Sequence, residues 1–385
     1  MCRETTRSLA YPQLPVKVNA ERRQVSCPTS YRNNPSPPPV CRRCHSRRRL
    51  YSPSRWRGII TSETFQKKLL LGVSQRPWTL RPPPYGYDPV YNVWYKLELP
   101  IFIPYYRFVK FASSTGLISV FVVDECGIPR LYVGNPLTRR WREIAQGPSV
   151  KSINDTDLAI SVSRTTLSYI VSIVTTKDLR GVLAGQEFSI HLYDSETRMW
   201  ETRMTEALRG WTSGYQSAIC DGVLYFLIHS TGDVSPENSC RLVMCDLSER
   251  CSNGLSANFV PVPCPRAHGR LMNMKEKLVL VGGIYKGDGA LFRSIQGVGI
   301  WVLSGREWHE IARLPDDYVL GLGSFPWLHS YDLNDLIYFL RERDPSPHIV
   351  TFDKNQKQWS RNSFAPLLFQ VGVGFCFEPQ LDIVP

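Results

Sequence analysis

A Trp returns about every 50 residues along this chain, each time just past a short apolar strand and a tight turn. The copies are Tyr87-Asp88-Pro89 with Trp94, Gly134-Asn135-Pro136 with Trp141, and Tyr193-Asp194-Ser195 with Trp200. Two more are Trp301-Val302-Leu303 with Trp308 and Phe352-Asp353-Lys354 with Trp359. The steps between these Trp residues are 47, 59, 108 and 51. The longest step holds a degenerate copy at Met244-Cys245-Asp246, where no Trp follows, and this makes six copies. A repeat of this length, built from short strands, predicts a β-propeller with one blade per repeat.

The expected fold is all-β, a six-bladed kelch-type β-propeller. Each unit reads as two hairpins. The inner ones turn at Ser114-Thr115-Gly116, Asp221-Gly222, Lys275-Glu276-Lys277 and Asn334-Asp335. Turns of this kind between β-rich runs are good hairpin signals. The outer hairpin ends in the Trp, as in 131–144 and 349–360. The ring two strands out from the axis should fill the widening wedge between blades, and the Asp or Asn before it should hold the turn. The unit at 87–99 lacks an inner hairpin, and the run at 369–377 lacks an outer one. Both ends should therefore share the closing blade, which removes exposed sheet edges.

The +12 net charge suggests nucleic acid until it is located. Residues 1–60 hold 13 Lys/Arg and 2 Asp/Glu, whereas the other 325 hold 33 and 32. The basicity lies in the N-terminal segment, and no basic face is expected on the folded domain. No nucleic-acid partner is expected. No run of about 18 apolar residues predicts a membrane span. Eleven Cys at irregular spacings fit reduced thiols and a cytoplasmic or nuclear protein.

Three segments follow. Residues 1–50 carry seven Pro and no apolar periodicity, and read as a disordered Pro/Arg-rich tail. The region 51–75 reads as a short helical segment, its apolar positions running from Trp56 to Leu70. Residues 76–385 read as the propeller.

Few residues suggest chemistry. Cys41-Arg42-Arg43-Cys44-His45 matches a haem-attachment string but has no folded pocket around it, and its spacing fits no standard zinc finger. Val281-Gly282-Gly283-Ile284 lacks the Lys-Ser/Thr of a phosphate loop. His191, His229, His309 and His348 are scattered. No catalytic residue, metal site or cofactor is expected, and the chain does not read as an enzyme. Recognition should lie in the longer loops of one face, among them 124–130, 175–187, 230–240 and 284–298, with the blade links 209–215, 264–270 and 316–328. Hot spots favour Trp, Tyr and Arg. The substrate-binding candidates are Trp211, Arg266, His268, Arg293, Tyr318 and Trp327.

The local wording resembles the plant F-box proteins with a kelch propeller. The strings are Asn135-Pro136-Leu137-Thr138 with Trp141-Arg142-Glu143, Glu307-Trp308-His309-Glu310, Arg313-Leu314-Pro315-Asp316-Asp317-Tyr318 and Gly374-Phe375-Cys376-Phe377-Glu378-Pro379. The segment Arg55-Trp56-Arg57-Gly58-Ile59-Ile60-Thr61-Ser62-Glu63-Thr64-Phe65 resembles the last helix of an F-box. The resemblance implies a substrate-recognition subunit of a Skp-cullin-F-box ubiquitin ligase. Trp56, Ile59, Ile60 and Phe65 would meet the Skp-type adaptor, and propeller loops would hold a protein substrate. The family's Leu-Pro-rich opening stretch is absent, because residues 20–50 carry Pro-Ser-Pro-Pro-Pro and Arg-Arg-Arg there. The alternative is a free-standing propeller scaffold.

Overall fold

The computed structural model describes residues 69–72, 85–88, 93–96, 109–123, 128–136, 138–145, 147–148, 155–179, 185–232, 239–248, 254–264, 269–285, 295–319, 328–333, 335–341, 348–364, 374–378, 380 and 382–385. They form antiparallel sheets of four strands each. The first strands are β1 (Leu69–Gly72), β2 (Tyr85–Asp88) and β3 (Val93–Lys96). Five blades then follow, each from four consecutive strands. Blade I is β4 (Val109–Ser114), β5 (Leu117–Val123), β6 (Pro129–Asn135) and β7 (Arg140–Ile144). Blade II is β8 (Thr156–Val162), β9 (Tyr169–Leu179), β10 (Gly185–Asp194) and β11 (Met199–Arg209). Blade III is β12 (Trp211–Cys220), β13 (Val223–Ser230), β14 (Cys240–Asp246) and β15 (Phe259–Pro261). Blade IV is β16 (Arg270–Asn273), β17 (Leu278–Tyr285), β18 (Ile295–Ser304) and β19 (Glu307–Arg313). Blade V is β20 (Leu328–Leu333), β21 (Leu336–Arg341), β22 (His348–Asp353) and β23 (Gln358–Phe364). A further sheet has the order β24-β1-β2-β3, where β24 is Gly374–Phe377.

The first strand of each blade lies beside the first strand of the next: β4 by β8, β8 by β12, β12 by β16 and β16 by β20. Strand β24 lies beside both β20 and β4. The core is a set of apolar seams between blades. Leu131 and Val133 of blade I meet Ile160 and Val171 of blade II. Phe188 of blade II stacks on Phe226 of blade III at 6.0 Å. Each aromatic or aliphatic side chain so buried contributes roughly 1.5–3 kcal/mol.

Leu69–Gly72 corrects the helix expected over 51–75. These residues pair with Gly374–Phe377 on one side and Tyr85–Tyr87 on the other, so the sheet begins earlier than residue 76. A Leu-Leu-Leu-Gly run fits the middle of a sheet as well as a helix face, and tertiary pairing decides between them. The rest of the segment, with Trp56, Ile59, Ile60 and Phe65, lies outside the described residues.

The repeated Trp also sits farther out than expected. Trp141, Trp200, Trp308 and Trp359 are on the outermost strand of their blades and only half-buried. Trp359 packs on Phe352 at 4.8 Å and Phe339 at 5.5 Å. Opposite Trp141 stands Gly134, where a Cβ would come within 2.2 Å of the indole ring. In two copies the Asp before the turn holds it as expected. The Asp194 carboxylate accepts from Glu196 N at 2.7 Å, and Asp353 accepts from Asn355 N and Gln356 N at 2.8 and 3.0 Å.

Asn135 does more. It is fully buried, and its Nδ2 donates to the carbonyls of Gln380 (2.6 Å) and Ile383 (3.0 Å). Gly116 N donates to the Glu378 carbonyl at 2.8 Å, and Ile383 is buried in the seam between blades I and II. The segment after β24 is thereby strapped to blade I. Asn135→Ala would leave two strap carbonyls without this donor and cost about 2 kcal/mol. Urea unfolding should show that loss with an unchanged slope.

Candidate functional site

Strand direction separates two faces. The first strand of a blade runs from the blade links toward the first-to-second turn. The links and second-to-third connections therefore share one face, the loop face, and the short turns share the other, the hairpin face. On the loop face, Lys110 is the second residue of β4, Asp157 the second of β8 and Ser213 the third of β12. These side chains from three successive blades meet. The Lys110 ammonium donates to the Thr156 carbonyl and stands 3.9 Å from Asp157 Oδ1. Ser213 Oγ donates to Asp157 Oδ2 at 3.2 Å. Gln186 Oε1 accepts from Ser213 N at 2.8 Å, and Gln186 Nε2 donates to Asp178 Oδ1 at 2.9 Å. The network runs from the inner strand of blade I out to an exposed carboxylate on β9.

Burial dominates its electrostatics. Asp157 is 2% exposed, and desolvation pushes its carboxyl up to about 6, against the smaller pull of Lys110 and Ser213. Desolvation also lowers Lys110, opposed by Asp157 and then Asp155. A buried carboxylate that desolvation raises to near neutrality, beside a specific charge partner, is what functional sites tend to contain.

Blade II carries this site upward. Strands β9, β10 and β11 have 11, 10 and 11 residues, against 7, 7 and 5 for their counterparts in blade I. The added length is at the loop-face end. The loop expected over 175–187 is therefore mostly strand, and the connection is only 180–184. The link expected over 209–215 is likewise a single residue, Gly210, at φ +79°. Glycine takes that backbone angle without the strain of a Cβ.

Of the sequence-derived binding residues, Trp211 and Tyr318 lie within the described part. Trp211 opens β12 at the loop face, half-buried, with Phe259 edge-on at 5.4 Å. Tyr318 lies in the short helix α1 (Asp316–Val319), its ring 6.5 Å from that of Trp359. They belong to different blades and are not brought together. Arg266, His268, Arg293 and Trp327 lie outside the described residues. Lys110, Asp157, Ser213 and Gln186 were missed. The available signal was a charge interrupting an apolar strand, in Val109-Lys110-Phe111 and Thr156-Asp157-Leu158.

His191 bridges three strands, with Thr202 Oγ1 at 2.9 Å and Thr175 Oγ1 at 3.2 Å, and burial lowers its pKa. Among the described residues, no group of three His, Cys, Asp or Glu could hold a metal ion.

The model of the "F-box protein At3g26010-like, beta-propeller" family matches residues 100–283. These residues span blades I to III and the start of blade IV. An F-box/kelch-repeat protein of Arabidopsis thaliana, At3g61590, is 39% identical over 353 residues, covering 86% of this chain and 84% of that protein. The chain belongs to the F-box/kelch-repeat proteins. The family is of the adaptor type and not an enzyme family. A putative F-box protein of the same plant, At3g23950, is 29% identical over 131 residues, 31% of each chain. Among solved structures, TolB of Acinetobacter baumannii is similar at TM-score 0.47 and 9% identity, covering 82% of this chain and 67% of TolB, too loosely to bear on function.

The Asp157 shift has a measurable consequence. A carboxyl raised from 3.8 to about 6 on folding contributes stability below pH 4 that is lost as pH rises through 6. The span is on the order of 3 kcal/mol. In Asp157→Asn that fall between pH 4 and 6 should disappear from urea midpoints. In Lys110→Met it should move to higher pH, because the cation that lowers the carboxyl is gone.

Proposed function

We propose that this F-box/kelch-repeat protein is the substrate-recognition subunit of a Skp-cullin-F-box ubiquitin ligase, with a target protein held on the loop face of a six-bladed ring. The observation that carries this reading is the 39% identity to an F-box/kelch-repeat protein across 84% of its length. The propeller gives the two ends of such an adaptor different faces. Leu69 pairs with Phe377, and the next residue, Glu378, meets the Gly116 turn. The chain therefore passes into β1 from the hairpin face. The segment with Trp56, Ile59, Ile60 and Phe65 precedes β1 and would meet the Skp-type adaptor from that side. The target would sit opposite, around Lys110, Asp157, Ser213 and the raised end of blade II. Free thiols at Cys220, Cys240, Cys245 and Cys264 support a cytoplasmic or nuclear protein.

A second reading, a free-standing propeller scaffold, is favoured by the Pro- and Arg-rich sequence over 20–50, where the family opens its F-box. One experiment separates the two. The full chain is mixed with purified Skp-type adaptor and cullin, beside Ile59→Asp and Lys110→Glu variants. The ligase reading expects a stable complex with the native chain, its loss in Ile59→Asp and its retention in Lys110→Glu. Absence of any complex with the native chain would favour the scaffold.

A further inference from the structure

The hairpin face of blade II carries a turn that the reading above leaves unused. It joins β8 to β9 and reads Ser163-Arg164-Thr165-Thr166-Leu167-Ser168, with four hydroxyls in six residues. Residues 164–167 are exposed, and Leu167 holds an exposed apolar side chain at φ +59°. A non-glycine residue there carries backbone strain of order 1 kcal/mol, so the tip opens more easily than a relaxed turn. The hydroxyls bond one another. Ser163 Oγ lies 3.0 Å from Thr165 Oγ1, and Thr166 Oγ1 lies 2.6 Å from Ser168 Oγ. Arg164 leaves the turn, its Nη2 donating to Glu378 Oε2 at 3.0 Å. The turn is thus joined to the strap that Gly116 and Asn135 hold on blade I.

We propose that Thr166 is a phosphorylation site, and that its phosphate takes Arg164 from Glu378 and loosens the strap after β24. Arg164 two positions before Thr166 and the apolar Leu167 one position after give a kinase a charged and an apolar handle on an exposed hydroxyl. The donor is a nucleoside triphosphate. Thr166 Oγ1 forms a bond to the γ-phosphorus as its bond to the β–γ bridging oxygen breaks. The hydroxyl proton passes to the kinase's base, and the nucleoside diphosphate leaves. The product carries nearly two negative charges with three strong acceptor oxygens, a better partner for a neighbouring guanidinium than a carboxylate across a turn. It also repels Glu378. This inference is independent of the ligase reading, because the strap exists in either case.

The test has two arms. In the first, the full chain is isolated from plant cells with phosphatases blocked, and the peptide covering 163–169 is sequenced by mass spectrometry. A phosphate on Thr166, absent in Thr166→Ala, is expected. An unmodified peptide, or a phosphate on Thr165 or Ser168 alone, overturns the assignment. In the second, backbone amide exchange is followed at Gly116 in the native protein, Thr166→Glu and Thr166→Ala. Exchange should rise roughly fivefold in Thr166→Glu, the scale of one exposed ion pair, and stay unchanged in Thr166→Ala. In a Glu378→Gln background, Thr166→Glu should add nothing. Equal exchange in native protein and Thr166→Glu would overturn the coupling to the strap.

Discussion

Everything in this molecule depends on β24 standing between β20 and β4. Each blade exposes a first strand along one edge and packs both faces against neighbours. An open row of blades would leave an unpaired seam at each end, a liability for edge pairing and aggregation. The sequence avoids this by placing the innermost strand of one sheet at the far end of the chain from β1, β2 and β3. The pairing of Leu69 with Phe377 and Gly72 with Gly374 joins the two ends. The strap then fixes the junction from below, through Glu378 and Gln380 on blade I and Arg164 on blade II. A linear repeat protein can fray from either end. A ring closed this way must break a long-range pairing before any blade detaches.

The same logic explains a pair of strained residues. Lys275 and Glu276 form the β16–β17 turn at φ +54° and +58°, where glycine or asparagine would be easier. Their side chains tie blades together. Glu276 Oε2 accepts from Asp221 N of the blade III turn at 2.5 Å, and Asn273 Nδ2 donates to the Ile219 carbonyl at 2.7 Å. Lys275 donates to Asp335 of the blade V turn. Strain of order 1 kcal/mol per residue is offset by ties that an Asn-Gly turn could not make. The first-to-second turns of three blades thus form a chained rim on the hairpin face.

The repeat was legible because its cause is local: an Asp or Asn holding a turn, and a Trp on the strand that follows. Inner turns at Gly116, Asp221-Gly222 and Lys275–Lys277 were legible for the same reason. Leu69–Gly72 was not, because a short apolar run has no period of its own and one of its two partner strands, Gly374–Phe377, lies at the far end of the chain. The length of β9–β11 was hidden in a similar way. Thr175–Lys177 and Glu187 look like loop residues in sequence, but pairing across β10 keeps them in the ladder. The site around Asp157 was the least legible. Lys110, Asp157 and Ser213 are spread over more than a hundred residues and converge only because three blades begin at one level. Sequence reasoning favoured aromatic, Arg and His loop residues instead, and for Trp211 the structure shows a ring set against Phe259.

Why a chain should keep Lys110 and Asp157 in that place is a question of energy. Desolvation pushes the two pKa values in opposite directions, each toward the neutral form. Both charges therefore lose more by leaving water than the pair recovers at 3.9 Å. Two apolar side chains of similar volume would pack the same gap at lower cost, as Leu158, Ile160 and Val162 do further along β8. The difference is location. Those residues lie deep in the seam, whereas Lys110 and Asp157 lie at the loop-face end, linked through Ser213 and Gln186 to a carboxylate in solvent. A costly polar chain that begins at the inner ring and ends at the surface is poorly suited to holding blades together. What it sets at the loop face is the two ends that reach solvent, the partly exposed Lys110 and the exposed Asp178, and stability lost between them is offset in the seams below.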